Sequence, residues 1–109
     1  MSLNILRRGL LGAALALGAT PVLAQSFPSQ PLNMVIPFAP GGPTDVVGRL
    51  LADVMGRDLG QQVVVQNVGG AGGTIGVQRV VQARNDGHTI LYTNIGIATQ
   101  PTLYRRLPY

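Results

Sequence analysis

The sequence predicts an α/β fold built on a parallel sheet, and two observations carry that expectation. Two short apolar runs, Leu32-Asn33-Met34-Val35-Ile36 and Val63-Val64-Val65-Gln66-Asn67, each end in a glycine-rich turn. Each turn then opens into a segment with helical spacing. Two such units in tandem, followed by a third apolar run, read β-α-β-α-β, with right-handed crossovers expected. The turns then share the carboxyl edge of the sheet, where open α/β folds bind their ligands.

The chain starts with a leader pattern. Arg7 and Arg8 precede an apolar, small-residue stretch from Gly9 to Ala19, which Thr20-Pro21 interrupts. Val22 and Ala24 then put small residues third and first before Gln25. This is the arrangement of a secretory signal peptide cleaved after Ala24, so residues 1–24 are assigned to it. The apolar stretch falls short of the ~20 residues a membrane-spanning helix needs. The twin-arginine motif is incomplete around Arg7-Arg8, which leaves the ordinary secretory route as the default.

Residues 25–31 are polar, carry two prolines and read as extended. Leu32–Ile36 is apolar without strict alternation, as suits a parallel strand buried on both faces. Pro37 ends it by removing a backbone donor. From Thr44 to Leu59, Val47, Leu50, Leu51 and Val54 recur at helical spacing and predict the buried face of a helix. Pro43 suits the first helical position, Thr44 or Asp45 can cap the first turn, and Gly60 suits the stop. Gln62–Asn67 is the second strand. Thr74–Arg84 is a second helix, with Val77, Val80, Val81 and Arg84 on one stripe. Asn85-Asp86-Gly87 is a turn, Thr89–Thr93 a third strand, and Asn94–Thr99 a loop. A helical turn is plausible near Leu103–Arg106.

Composition narrows the function classes. The chain of 109 residues is one domain at most, with 46% hydrophobic and 11% charged residues, which excludes a charge-rich disordered tail. Beyond the leader, six arginines stand against four aspartates with no Lys or Glu. The basic pI therefore reflects few charges and not a basic patch, and nucleic-acid binding is not expected. With no cysteine there is no disulfide, thiol nucleophile or cysteine metal site. One histidine and no paired carboxylates give no catalytic constellation, so no enzyme activity and no cofactor are expected.

The edge chemistry favours a small anion. Gly41 and Gly42 let a ligand approach the backbone and its N–H groups, at the positive end of the following helix. The competing reading is a tight turn with no ligand. Thr44 is the better direct contact, whereas the Asp45 carboxylate would repel an anion and is expected to fix the loop and cap the helix. Gly70-Ala71-Gly72-Gly73 lacks the third glycine of a dinucleotide fingerprint, and no P-loop lysine follows. Thr93, Asn94 and Thr99 reach the same edge and can offer hydroxyls and an amide to a carboxylate. His88 reads as a packed or surface residue, and Arg105 and Arg106 as a solvated face.

Four blocks, Val35-Ile36-Pro37-Phe38-Ala39-Pro40-Gly41-Gly42-Pro43-Thr44-Asp45, Gly70–Gly73, Asp86-Gly87 and Leu103–Tyr109, occur in the order and spacing of a known family. From about Phe27 onward the chain resembles the Bug family, the extracytoplasmic receptors of tripartite tricarboxylate transporters. The resemblance implies that residues 25–109 form the N-terminal part of lobe 1 of a two-lobed, type II periplasmic-binding-protein fold. It implies a monomeric periplasmic receptor that binds small carboxylates and delivers them to transporter membrane subunits. Phe38, Gly41, Gly42, Thr44, Asp45, Gly72, Gly73, Thr93 and Asn94 are the substrate-binding residues so implied. Val68 and Gly69 stand where the family usually has a basic residue and proline, which weakens the second loop's claim. The alternative is a secreted α/β enzyme acting on a small anionic or phosphorylated substrate. Three strands and two helices would leave sheet surface uncovered, so the chain by itself is expected to be poorly stable.

Overall fold

The computed structural model describes residues 26–109; the leader and its cleavage site lie outside them. Strand β1 (Leu32–Ile36) is central, flanked by β2 (Val63–Asn67) and β3 (Thr89–Leu91) in the order β2-β1-β3. Both pairings are parallel, with Met34 opposite Val65 on one side and Ile90 on the other. The ladders run past the strand ends, since the Val68 amide donates to the Ile36 carbonyl and the Tyr92 amide to Val35, each at 2.9 Å. Leu32, Met34, Val35 and Ile36 are all buried, as the central strand of a parallel sheet must be.

Helix α1 (Pro43–Leu59) connects β1 to β2, and α2 (Thr74–Val81) connects β2 to β3. Met34, Ile36 and Ala52 form the core under α1, with Phe38, Met55, Val63, Val65, Ile90 and Tyr92 around them. Side chains alternate along a strand, so Val35 belongs to the opposite face, where it lines a hollow with Ile75 and Gln78 of α2. The α/β class and the β-α-β-α-β order are those the sequence predicts.

The buried face of α1 is not. Val47, Leu50 and Val54 are more than half exposed and Leu51 is exposed as well. The helix turns Asp45, Gly48 and Ala52 inward instead. The physical reason is distance: a Cβ on Gly48 would lie 2.6 Å from Ile36 Cδ1, so only a near-absent side chain lets the helix sit this close. Small residues face the sheet, and the larger apolar stripe faces away from it.

Three boundaries also differ. α2 ends at Val81, leaving Arg84 outside it, with Val77 buried, Val80 half-buried and Val81 exposed. β3 ends at Leu91. The segment expected to be a loop from Asn94, with a turn near Leu103–Arg106, instead forms α3 (Gly96–Leu103) despite Pro101 inside it. Asn94 Oδ1 accepts from the Gly96 amide at 2.9 Å and starts that helix. Among the described residues no helix is long and apolar enough to cross a membrane.

Candidate functional site

Because all three strands are parallel, the loops after β1, β2 and β3 emerge at one edge. Buried Pro37 takes β1 out of the sheet, and the loop runs through Phe38 to Gly42 into α1. Gly41 has φ 85°, a backbone conformation that costs an L-residue with a side chain ~1 kcal/mol or more. Gly42 is the N-cap at φ −76° and makes no side-chain capping bond. Pro43 has no N–H, so the open amides of this helix end are those of Gly42, Thr44 and Asp45, which have no intrahelical acceptor.

A cleft of 650 Å³ opens at this point, lined by residues 38–44 and Asn94. It brings Phe38, Gly41, Gly42 and Thr44 together with Asn94 from the loop after β3. Its walls are Phe38, Ala39, Pro40 and Pro43, and its polar groups are backbone amides, the Thr44 hydroxyl and the Asn94 amide. Asn94 Oδ1 is engaged with Gly96, which leaves its NH₂ as the group free to donate. Donors gathered around an apolar wall suit a carboxylate on a short hydrocarbon body. Thr93 is half-buried and does not line the cleft.

Asp45 lies beneath the loop, 3% exposed. Its carboxylate accepts from Arg49 Nε at 3.0 Å, the Gly41 amide at 2.8 Å and Asn67 Nδ2 at 2.9 Å. These donors, Arg49 foremost, hold its pKa down to about 2. Asp45 therefore does not cap α1 as its N-cap residue; it is the third helical residue and reaches back to the loop.

Gly72 and Gly73 sit apart from the cleft, in a 3₁₀ turn (Ala71–Gly73). Tyr104 Oη donates to the Ala71 carbonyl at 3.1 Å, and Gln100 Nε2 to Gly72 at 3.0 Å. A Cβ on Gly72 would collide with the Tyr104 hydroxyl. Tyr109 Oη donates in turn to Gln100 Oε1. Among the described residues this glycine loop is tied to the carboxyl end of α3 by these bonds, with Gly73 buried and Ala71 and Gly72 still exposed. Sequence reasoning missed Arg49, Asn67, Gln100 and Tyr104. The i, i+4 spacing of Asp45 and Arg49 was the one available signal.

His88 lies at the opposite end of the sheet, just before β3. It is buried, its Nε2 accepts from the Ser29 amide at 3.3 Å, and its ring stands 4.9 Å from that of Phe27. Nδ1 is 3.4 Å from Asp86 Oδ1, outside hydrogen-bond geometry. The His88 backbone amide is the chief influence lowering the Asp86 pKa. No group of three or more potential metal-ligating side chains occurs among the described residues.

Residues 47–109 match the tripartite tricarboxylate transporter family receptor. The chain belongs to that family. It is 44% identical over 106 residues to a protein encoded in the tcbD–tcbE intergenic region of a Pseudomonas species, covering 94% of this chain and 32% of that one. It is 42% identical to the protein BugT of Bordetella pertussis, covering 78% and 28% respectively. Among solved structures it resembles the periplasmic binding protein BugD, with TM-score 0.73 and 53% identity over 76% of this chain and 28% of that one. MatC of Rhodopseudomonas palustris, solved with bound malate, matches with TM-score 0.58 and 48% identity over 60% and 22%. Another R. palustris protein, solved with adipate, matches with TM-score 0.72 and 33% identity over 77% and 28%. The chain thus spans between about a quarter and a third of the length of the curated relatives it matches.

Proposed function

We propose that this chain is the N-terminal part of the first lobe of a periplasmic receptor for small carboxylates. Residues 1–24 are its signal peptide, residues 25–109 begin the lobe, and the remainder of the receptor supplies the second lobe. The ligand's carboxylate rests on the amides of Gly42 and Thr44, with the Thr44 hydroxyl and Asn94 amide beside it. Gly41 shapes the approach, while Phe38 packs on the ligand's hydrocarbon part. Gly72, Gly73 and Thr93 stand outside this cleft and make no contact with the ligand there. Residues of the second lobe read the rest of the molecule, and closure of the two lobes signals occupancy to the transporter's membrane subunits. The receptor acts as a monomer and carries out no chemistry on its ligand.

The observation that carries this reading is the uncapped start of α1 opening into a donor-lined cleft, in a chain of a receptor family with malate-bound and adipate-bound relatives. Calorimetric titration of the whole receptor with malate and adipate tests it. Saturable binding of either is expected, and binding of no small carboxylate would remove the proposal. Mature protein recovered from the periplasm should begin at Gln25; an intact Met1 would remove the leader assignment.

A further inference from the structure

A buried carboxylate beneath an anion-binding loop works against binding unless its charge is neutralised. Asp45 occupies that position, and groups from three parts of the chain converge on it. The Gly41 amide comes from the loop, Arg49 from one turn along α1, and Asn67 from the carboxyl end of β2. Asn67 is fully engaged. Its Nδ2 also donates to the Phe38 carbonyl at 3.2 Å, and its Oδ1 accepts from Arg49 Nη2 at 2.8 Å. The Arg49 fork thus bridges two different residues through two nitrogens, Nε and Nη2, held at a fixed planar spacing that the single nitrogen of an ammonium does not reproduce.

The two backbone groups held in this way, the Phe38 carbonyl and the Gly41 amide, bracket Ala39 and Pro40. The loop is gripped at both ends. We propose that Asn67 and Arg49 are positioning residues for the ligand-binding loop, acting through Asp45. They fix Gly41 in its φ 85° conformation, spend its amide on Asp45, and leave the Gly42 and Thr44 amides as donors for the ligand. Arg49 also cancels the Asp45 charge, so that an approaching carboxylate meets a neutral pair. This inference rests on the carboxylate-receptor reading above.

The test uses the whole receptor, with malate and adipate as probes and hydrogen exchange of the Gly41 amide, followed by NMR, as a readout that needs no ligand. Asn67→Leu and Arg49→Leu should each speed Gly41 exchange at least tenfold while the β1 amides keep wild-type protection. Each should also weaken the bound probe at least tenfold. Arg49→Lys keeps the charge and loses the fork, so its exchange and affinity should fall between those of wild type and Arg49→Leu. It serves as the decisive variant if either leucine substitution fails to fold. Unchanged Gly41 exchange in the folded variants would overturn the clasp. Faster exchange with unchanged affinity would overturn its role in binding. A wild-type receptor that binds neither probe would overturn the carboxylate reading and the positioning role with it, while the exchange data would still report whether Gly41 is held.

Discussion

Gly48 and Ile36 meet where α1 comes closest to the sheet, with Ile36 Cδ1 occupying the place a side chain on Gly48 would need. Tyr92 crowds the same point, its Cδ1 lying 2.9 Å from the position of that Cβ. Replacing Gly48 with Ala gains helix propensity but forces Ile36 and Tyr92 off their positions. Both are side chains and can shift, so the expected net cost is about 1–3 kcal/mol. Chemical denaturation of the whole receptor, comparing midpoints, measures it. A stabilised Gly48→Ala variant would show that the helix has room to move outward.

Gly76 presents the harsher case. A Cβ there would lie 2.7 Å from Pro37 Cβ, 2.9 Å from Pro37 Cα and 2.8 Å from the Val68 carbonyl oxygen. Backbone and a proline ring cannot rotate away as a side chain does. Gly76→Ala should therefore cost more than Gly48→Ala, by the same denaturation measurement. The reverse order would mean that α2 is free to slide along the sheet.

The sequence was informative about α1 where local rules act, and misleading where distance decides. Pro43 at the first turn and Gly60 at φ 66° mark the helix ends as their types predict. The apolar period at Val47, Leu50, Leu51 and Val54 is real, but periodicity does not say which partner a stripe will meet. Here Gly48 and Ala52 win the sheet because they permit the closer approach. α3 escaped detection because its sequence, Gly-Ile-Ala-Thr-Gln-Pro-Thr-Leu, has no apolar face and contains Pro101. The site divides similarly. Gly41, Gly42 and Thr44 stand out as a glycine turn before a helix. Asn67 is 22 residues from Asp45, and nothing local in either residue announces the bond between them.

The outward stripe of α1 is exposed in this chain, and exposed apolar faces of this kind mark contact surfaces. On the 109-residue chain alone, changing both Leu50 and Val54 to Glu should leave the melting transition nearly unmoved and reduce self-association, as read by sedimentation. In the whole receptor the same double change should lower the melting temperature clearly, because there the stripe is expected to be covered. Equal effects in both settings would mean that nothing further packs on this face.

Asp45 makes the loop sensitive to acid. Its carboxyl is held at about 2 by Arg49, the Gly41 amide and Asn67, against about 3.9 for an unperturbed aspartate. A depressed folded-state value means that the folded form binds fewer protons than the unfolded chain. The stabilisation is therefore full above roughly pH 4 and is lost as pH falls toward 2. A ¹³C titration of the Asp45 carboxyl should show a midpoint near 2, moving upward in Arg49→Leu. A midpoint in the ordinary aspartate range would mean that the clasp is open in solution.

The two glycines of the proposed binding loop separate ligand space from backbone strain. Gly42 has φ −76°, and a Cβ there would meet only the Ala39 carbonyl oxygen, at an ordinary 3.7 Å. Valine at Gly42 can therefore fold without distorting the loop, and its branches would stand beside the amides offered to the ligand. Gly41 has open space around it but a positive φ, so valine there would strain the turn before it blocked anything. Gly42→Val should abolish binding of malate or adipate with little change in stability, whereas Gly41→Val should lose both together. His88→Gln, at the far end of the sheet, should leave affinity within about twofold, because its side chain meets Ser29, Phe27 and Asp86 and its β1 contact is made by the backbone carbonyl, which the substitution keeps. Calorimetry with circular dichroism as the folding control reads all three. Full affinity in a well-folded Gly42→Val variant, or lost affinity on changing His88, would place the ligand on another part of the lobe.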